Sequence, residues 1–410
     1  MKKMKLQDCC IFISDGDHQA PPKSDKGVPF ITISNITTDN RIDFSNVMYV
    51  PLEYYEQLSE KSKAIKNDIL YSVVGSFGKP VLIEEDRKFV FQRHIAILRP
   101  NLEKVIPEFL YYTLLNPQFY TVADYLAIGA AQRTISLESL RNIEIELPSL
   151  SQQKRIVDVI APIDKKMHEN AMINDYLEEM AKTIYDYWFV QFDFPDENGN
   201  PYKSSGGKMD LIKDFGIAPS SWKIGNLYDI AEFINGLACQ KYRPTENEDS
   251  LPVIKIKEMH DGISSDTEQV KSTIPENNIV RTGDILFSWS ASIEIQRWTG
   301  ITGGLNQHIF KVIPKEKYSS SYVYHQLKSY VIKFIQMAET RKTTMGHITS
   351  DHLKQSVIIL PPENIIRNFS SQVDNIHAEI CRINKESQEL SQLRDWLLLM
   401  LMNGQATIED

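Results

Sequence analysis

The sequence predicts an α+β chain: two mixed α/β domains separated by two long antiparallel coiled-coil helices, built as an internal repeat with pseudo-twofold symmetry. Three observations predict it. The chain has 410 residues, enough for two or three domains. Short motifs recur in the same order at a nearly constant offset. Each copy also ends in a segment whose apolar positions alternate four and three residues apart.

The repeat is anchored first by Lys66-Asn67-Asp68-Ile69-Leu70-Tyr71-Ser72, which returns as Thr282-Gly283-Asp284-Ile285-Leu286-Phe287-Ser288 at an offset of 216. Gln92-Arg93-His94-Ile95 returns as Asn306-Gln307-His308-Ile309, at 214. Ile135, Leu140, Leu147 and Pro148 return as Ile348, Leu353, Leu360 and Pro361, at 213. Loop insertions account for the drift. The mixed halves are read at 1–150 and 221–360, where short β-type runs such as Phe30 to Ile33, Ile95 to Leu98, Val253 to Ile256 and Val357 to Leu360 are broken by turn residues.

Helices are expected after Pro148 and Pro361, over 151–192 and 361–410. The first seam is Ile156, Ile160, Ile163, Met167, Asn170, Asn174, Leu177, Ala181, Ile184 and Trp188; the second is Phe369, Val373, Ile376, Ile380, Ile383, Ser387, Leu390, then Leu393 or Arg394, Leu397 and Leu401. A single such segment reads as an amphipathic helix on its own domain; two matching ones read as partners. Pro162 is expected to kink or break the first helix. Residues 193–220, rich in Pro, Gly and Ser, read as a linker.

Hydrophobic residues make up 42% and charged ones 24%, the balance of a soluble protein. Cys9, Cys10, Cys239 and Cys381 form no CxxC pair, so neither a disulfide framework nor a zinc site is indicated, and a reducing cytosol fits. The apolar stretch Cys9 to Ile13 is too short for a signal segment, and no run approaches the ~20 residues of a membrane span.

The sequence contains no phosphate loop, dinucleotide fingerprint, HExxH or GxSxG motif. Asn116-Pro117-Gln118-Phe119 lacks the second proline of a DNA-methylating motif and reads as a helix end. Asp15-Gly16-Asp17-His18 reads as a turn, and no metal site is expected. The chain by itself therefore reads as non-catalytic.

The remaining polar signals come in pairs. Gln132-Arg133-Thr134 and Arg341-Lys342-Thr343-Thr344 hold nearly equivalent places, and these residue types contact bases and phosphates. Arg93 with His94, and Gln307 with His308, open equivalent β runs. Ser288, Trp289 and Arg297 complete the candidate DNA contacts, Trp289 and Trp298 also being candidates for burial.

Asp15-Gly16-Asp17-His18 with Pro21, the Gly283 to Ser288 motif, Leu305 to Pro314, Leu147 to Ile156 and Tyr187 to Asp193 together resemble the specificity subunits of type I restriction-modification enzymes over nearly the whole chain. The second copy departs from the pattern at Pro361-Pro362-Glu363-Asn364-Ile365, where Pro-x-x-x-Gln is lost. The resemblance implies two target-recognition domains that read the halves of a bipartite, asymmetric site in double-stranded DNA. It implies helices that set the gap and dock two modification subunits. It also implies that the chemistry belongs to partners, with S-adenosylmethionine used for adenine methylation and ATP and Mg2+ used by restriction subunits. A stand-alone DNA enzyme and a coiled-coil scaffold without a DNA role are the alternatives.

The net charge of −9 first argues against a DNA reader. Its distribution removes the objection. Residues 1–150 carry −2 and 201–360 carry +2, whereas 151–200 carry −5 and 361–410 carry −4. The acidic excess thus lies in the helical segments and their tails, which suits protein partners better than phosphate.

Overall fold

The computed structural model describes residues 2–37, 39–75, 77–129, 132–213, 215–264, 266–289, 292–340, 350–402 and 405–406. The chain forms two compact units, Met1–Met167 with Glu389–Asp410, and His168–Gln388.

In the first unit the strands are β1 (Lys2–Lys5), β2 (Cys10–Asp15), β3 (Val28–Ile31), β4 (Met48–Val50), β5 (Ile69–Ser72), β6 (Pro80–Leu82), β7 (Val90–Phe91), β8 (Ile95–Pro100) and β9 (Glu144–Leu147). They form sheets of order β2-β8-β5-β6, β4-β3-β7 and β1-β9. The second unit has β10 (Met209–Ile212), β11 (Gly216–Pro219), β12 (Lys223–Gly225), β13 (Ala231–Asn235), β14 (Ser250–Ile254), β15 (Gln269–Lys271), β16 (Ile279–Val280), β17 (Ile285–Ser288), β18 (Glu294–Arg297), β19 (Gly303–Leu305), β20 (Ile309–Pro314) and β21 (Ile358–Leu360). Its sheets are β13-β20-β17-β18, β15-β14-β19-β16, β12-β21 and the hairpin β10-β11. The first three repeat the order of the first unit strand for strand, with β16 as the addition.

The recurring motif owes its form to this topology. β5 and β17 are buried along their whole length because both faces of the sheet are covered. Ile69 and Tyr71 enter one core and Leu70 another; Ile285 and Phe287 enter one and Leu286 another. The flanking polar residues close the turns at each strand end. Asp68 accepts from the Ile65 amide at 2.9 Å and Asp284 from the Arg281 amide at 2.7 Å. Ser72 Oγ accepts from the Lys79 amide at 2.9 Å and Ser288 Oγ from the Glu294 amide at 3.1 Å. The neighbouring strand supplies each aspartate with a cation, Arg99 or Lys311, both at 2.8 Å.

The first long helix is Leu150–Tyr185, followed by one π-helical turn, Asp186–Val190; the second is Glu363–Met402. Pro162 does not break the first helix as expected, and lies inside it. Burial of Ile156 and Ile160 on the preceding turns offsets the lost backbone bond, which costs ~3 kcal/mol. In the first unit Ile156 and Ile160 share a core with Leu398 and Leu401, Leu397 packs against that core, and Arg394 Nη1 reaches Asp164 Oδ1 at 3.2 Å. Ile163, Met167 and Leu390 are half-buried. In the second unit Phe369, Val373, Ile380 and Ile383 are buried, and Leu177, Ile184 and Ile376 half-buried. There Asn170 Nδ2 donates to Ser387 Oγ at 3.1 Å and Asn174 Nδ2 to Asn384 Oδ1 at 2.8 Å. Within each unit these pairings run antiparallel. At the open choice in the second seam, Arg394 is the residue that faces its partner, while Leu393 is exposed.

Residues 193–220 are not the plain linker the composition suggested. They contain the β10-β11 hairpin, and Phe194 and Ala218 are buried beside Phe192 and Trp222 in the core of the second unit. Phe194 stacks on Tyr202 at 4.7 Å and on Trp222 at 5.3 Å, so aromatic burial fixes a segment whose Gly and Pro content signals only turns.

Candidate nucleic-acid interface

In the first unit three segments meet where β5 ends. The Val73 amide donates to the His94 carbonyl at 2.9 Å, the Ile135 amide to the Val73 carbonyl at 3.0 Å, and the Gly75 amide to the Arg133 carbonyl at 3.0 Å. The turn Gln92–His94 and the loop bearing Gln132-Arg133-Thr134 thus flank the exit of one central strand. Arg93 and Gln132 are exposed, His94 and Thr134 half-exposed.

A fourth segment supports the turn. The Asp17 amide donates to the Phe91 carbonyl at 2.8 Å, and the Arg93 amide to the Asp17 carbonyl at 2.9 Å. Asp15-Gly16-Asp17-His18 is therefore the paired end of β2 and its continuation. A Cβ on Gly16 would stand 2.2 Å from the Phe91 carbonyl oxygen, so only glycine permits this approach. The Asp17 carboxylate accepts from the Tyr54 hydroxyl, whose pKa is pushed up to about 12 by burial and by that bond.

Among the described residues, the second unit repeats the contacts between the strand exit, the turn and the β2-like segment. The Trp289 amide donates to the His308 carbonyl at 3.2 Å, the Gly236 amide to the Ile309 carbonyl at 3.1 Å, and the Leu237 amide to the Leu305 carbonyl at 2.8 Å. A Cβ on Gly236 would lie 2.0 Å from the Asn306 carbonyl oxygen, matching Gly16. His308 is exposed, and its Nε2 lies 3.2 Å from Gln307 Nε2. Arg341, Lys342, Thr343 and Thr344 lie outside the described residues.

Three candidates from the sequence are held by their own protein. Ser288 is fully buried and donates to the Ser292 carbonyl at 2.6 Å, closing a turn. Arg297 is an internal post: Nη1 reaches the Gly283 carbonyl at 3.3 Å and Ser320 Oγ at 3.2 Å, Nη2 lies 3.2 Å from His377 Nδ1, and the guanidinium covers the Tyr324 ring at 5.3 Å. Burial lowers its pKa. Arg133 is pinned to Asp124, with Nε 3.0 Å from Oδ1 and Nη2 bonded to both that oxygen, at 2.7 Å, and the Asp124 carbonyl. Trp289 is half-buried against His308 and Phe310, with ring centroids 5.6 and 6.0 Å away. The sequence reading also passed over Tyr125 and Ile128, which are 88% and 73% exposed beside the first of these loops.

Among the described residues no group of three His, Cys, Asp or Glu is arranged to hold a metal. Among them, too, no helix is long and apolar enough to cross a membrane.

Known proteins are similar to this chain. The chain is 23% identical to the type I restriction enzyme HindI specificity subunit of Haemophilus influenzae, over 92% of this chain and 94% of that protein. It is 22% identical to the MjaIX specificity subunit of Methanocaldococcus jannaschii, over 75% and 70%. The fold is similar to the crystal structure of the type I restriction-modification S subunit from M. genitalium, with a TM-score of 0.53 at 15% identity, covering 98% of this chain and 96% of that one. The family model described as the type I restriction modification DNA specificity domain matches twice, at residues 1–179 and 219–390. Each match takes in one of the two repeated strand orders, and the chain therefore belongs to the type I restriction modification DNA specificity domain family.

Proposed function

We propose that the chain is the DNA sequence-recognition subunit of a type I restriction-modification complex, with domains at 1–150 and 221–360 each reading one half of a bipartite, asymmetric duplex site. The helical segments 151–192 and 361–410 set the gap and dock two modification subunits, and 193–220 joins the copies. The chain does no chemistry itself. Modification subunits methylate adenine with S-adenosylmethionine, and restriction subunits use ATP and Mg2+, all in the cytoplasm.

One observation carries the reading: the same strand-exit edge occurs in both units with different side chains on it. Arg93 in the first unit corresponds to Gln307 in the second. Arginine suits guanine and glutamine suits adenine, so a common frame would read different bases. Gln132, Thr134, His94 and His308 belong to these edges, and Arg341 to Thr344 hold a nearly equivalent place in the sequence of the second copy. The similar proteins of Haemophilus influenzae and Methanocaldococcus jannaschii are specificity subunits, which supports this reading.

Mapping methylated adenines in genomic DNA, with and without this chain, tests it. Loss of methylation at one two-part motif when the chain is absent is the expected result. An unchanged methylation pattern would overturn the proposal.

A further inference from the structure

We propose that Tyr125, with Ile128 beside it, is a stacking wedge for double-stranded DNA at the rim of the first reading edge, and that Arg133 is the positioning residue that holds it there. The inference rests on the DNA-recognition reading above.

Helix Pro117–Leu126 starts at Asn116, whose side chain accepts from the Gln118 amide at 2.9 Å. It buries Phe119 and Ala123 against the core of the first unit. Its other side leaves Val122, Tyr125 and Leu126 in solvent, and spacing of three and four residues puts them on one face.

The exposed pair is rigidly mounted. Ala127 is buried, which fixes the chain between Tyr125 and Ile128. Ile128 and Thr134 exchange both backbone hydrogen bonds at 2.9 Å. Gly129, at φ +96°, makes the reversal; a Cβ there would meet the Gln132 carbonyl oxygen at 2.4 Å. Arg133 then grips both the carboxylate and the main-chain carbonyl of Asp124, the residue before Tyr125. The same loop is tied to Gly75 at the strand exit. These bonds fix the main chain from which Tyr125 and Ile128 project.

The chemistry of the face favours DNA. Asp124 is the helix's only ionisable acid, and Arg133 neutralises it, so no unpaired carboxylate on that helix repels phosphate. An exposed aromatic ring and, three residues on, an exposed branched aliphatic suit stacked bases and thymine methyls, and apolar side chains of this kind enter base steps. Continuity with the Gln132 loop puts the pair where the duplex is proposed to lie. Among the described side chains of the counterpart helix in the second unit, Ser320–Thr340, the exposed large apolar ones are Ile332 and Ile335, and neither is aromatic. The proposal accordingly concerns the first half-site.

The test uses the chain assembled with its modification subunits and duplexes carrying 2-aminopurine at successive positions of either half-site. Tyr125→Ala is expected to weaken duplex binding about tenfold, the scale of one lost aromatic stack. It is also expected to abolish the fluorescence change in the first half-site and leave the second unaltered, with Tyr125→Phe restoring both. Arg133→Ala is expected to weaken binding without relaxing the preference at any single base pair. Unchanged affinity and fluorescence in Tyr125→Ala would overturn the wedge while leaving the recognition reading intact. Normal DNA binding with failed subunit assembly would assign the patch to a protein partner and also overturn it. If the unsubstituted complex binds all duplexes alike, the recognition reading itself fails.

Discussion

The imidazole rings of His325 and His377 lie stacked with centroids 5.1 Å apart and Nε2 atoms separated by 3.2 Å, buried where helix Ser320–Thr340 meets the second long helix. Around them stand Tyr185 and Tyr324 beside His325, Ser321 and Arg297 at His377 Nδ1, Asp374 bonded to Ser321, and Lys328 with Glu178 on the Tyr324 hydroxyl. Burial, with Arg297 and Lys328 nearby, holds both histidines neutral by depressing their pKa values far below the ordinary value.

A pH dependence follows. The unfolded chain takes up protons on these residues below about pH 6.5, while the folded chain does not. Stability is therefore fully present above that pH and falls as the solution is acidified, by about 2 kcal/mol for each ring that stays neutral between pH 7.5 and 5, or about 4 kcal/mol for the pair. Chemical denaturation across that range checks it. A flattened profile is expected in His325→Gln/His377→Gln, and an equally steep one would rule the pair out as the cause.

Asp68 is 1% exposed and accepts two bonds from Arg99, Nε to Oδ1 at 2.9 Å and Nη2 to Oδ2 at 2.8 Å. Removing one partner of such a pair leaves an uncompensated charge. Asp68→Ala is expected to cost ~3 kcal/mol in denaturation experiments. Asp284→Ala is expected to cost less, because the Asp284 side chain is 25% exposed.

Gly16→Ala and Gly236→Ala each force a backbone shift at a proposed reading edge, since the new methyl would overlap a carbonyl oxygen. Each is expected to impair DNA binding at one half-site by tenfold or more, on the order of 1.4 kcal/mol. Half-site duplex titrations of the assembled complex read the loss; equal effects on both halves would contradict the assignment.

The repeat was legible in the sequence because its anchors are structural. Asp68 and Asp284 close turns, Ser72 and Ser288 close others, and the apolar residues between them are buried on both faces. That same property misleads at Ser288 and Arg297: both are polar residues in motifs, and their partners come from a turn and from distant helices that local spacing does not reveal. The seam was legible from its period, whereas the fold of 193–220 was not, because its order comes from Phe194, Tyr202 and Trp222 meeting across a Gly- and Pro-rich stretch. Residue type marks Arg133 as a candidate base contact; its ion pair with Asp124 depends on the return of the loop, which local spacing does not reveal.

The central claim is that two units read two half-sites at a spacing set by the long helices. Inserting one heptad into each, between Met167 and Asn170 and between Ser387 and Leu390, adds about 10.5 Å of helix. At 3.4 Å per base pair the account predicts a methylated motif with both half-sequences intact and a gap longer by roughly three base pairs. A methylation map in which the gap is unchanged, or in which either half-sequence is altered, would contradict it.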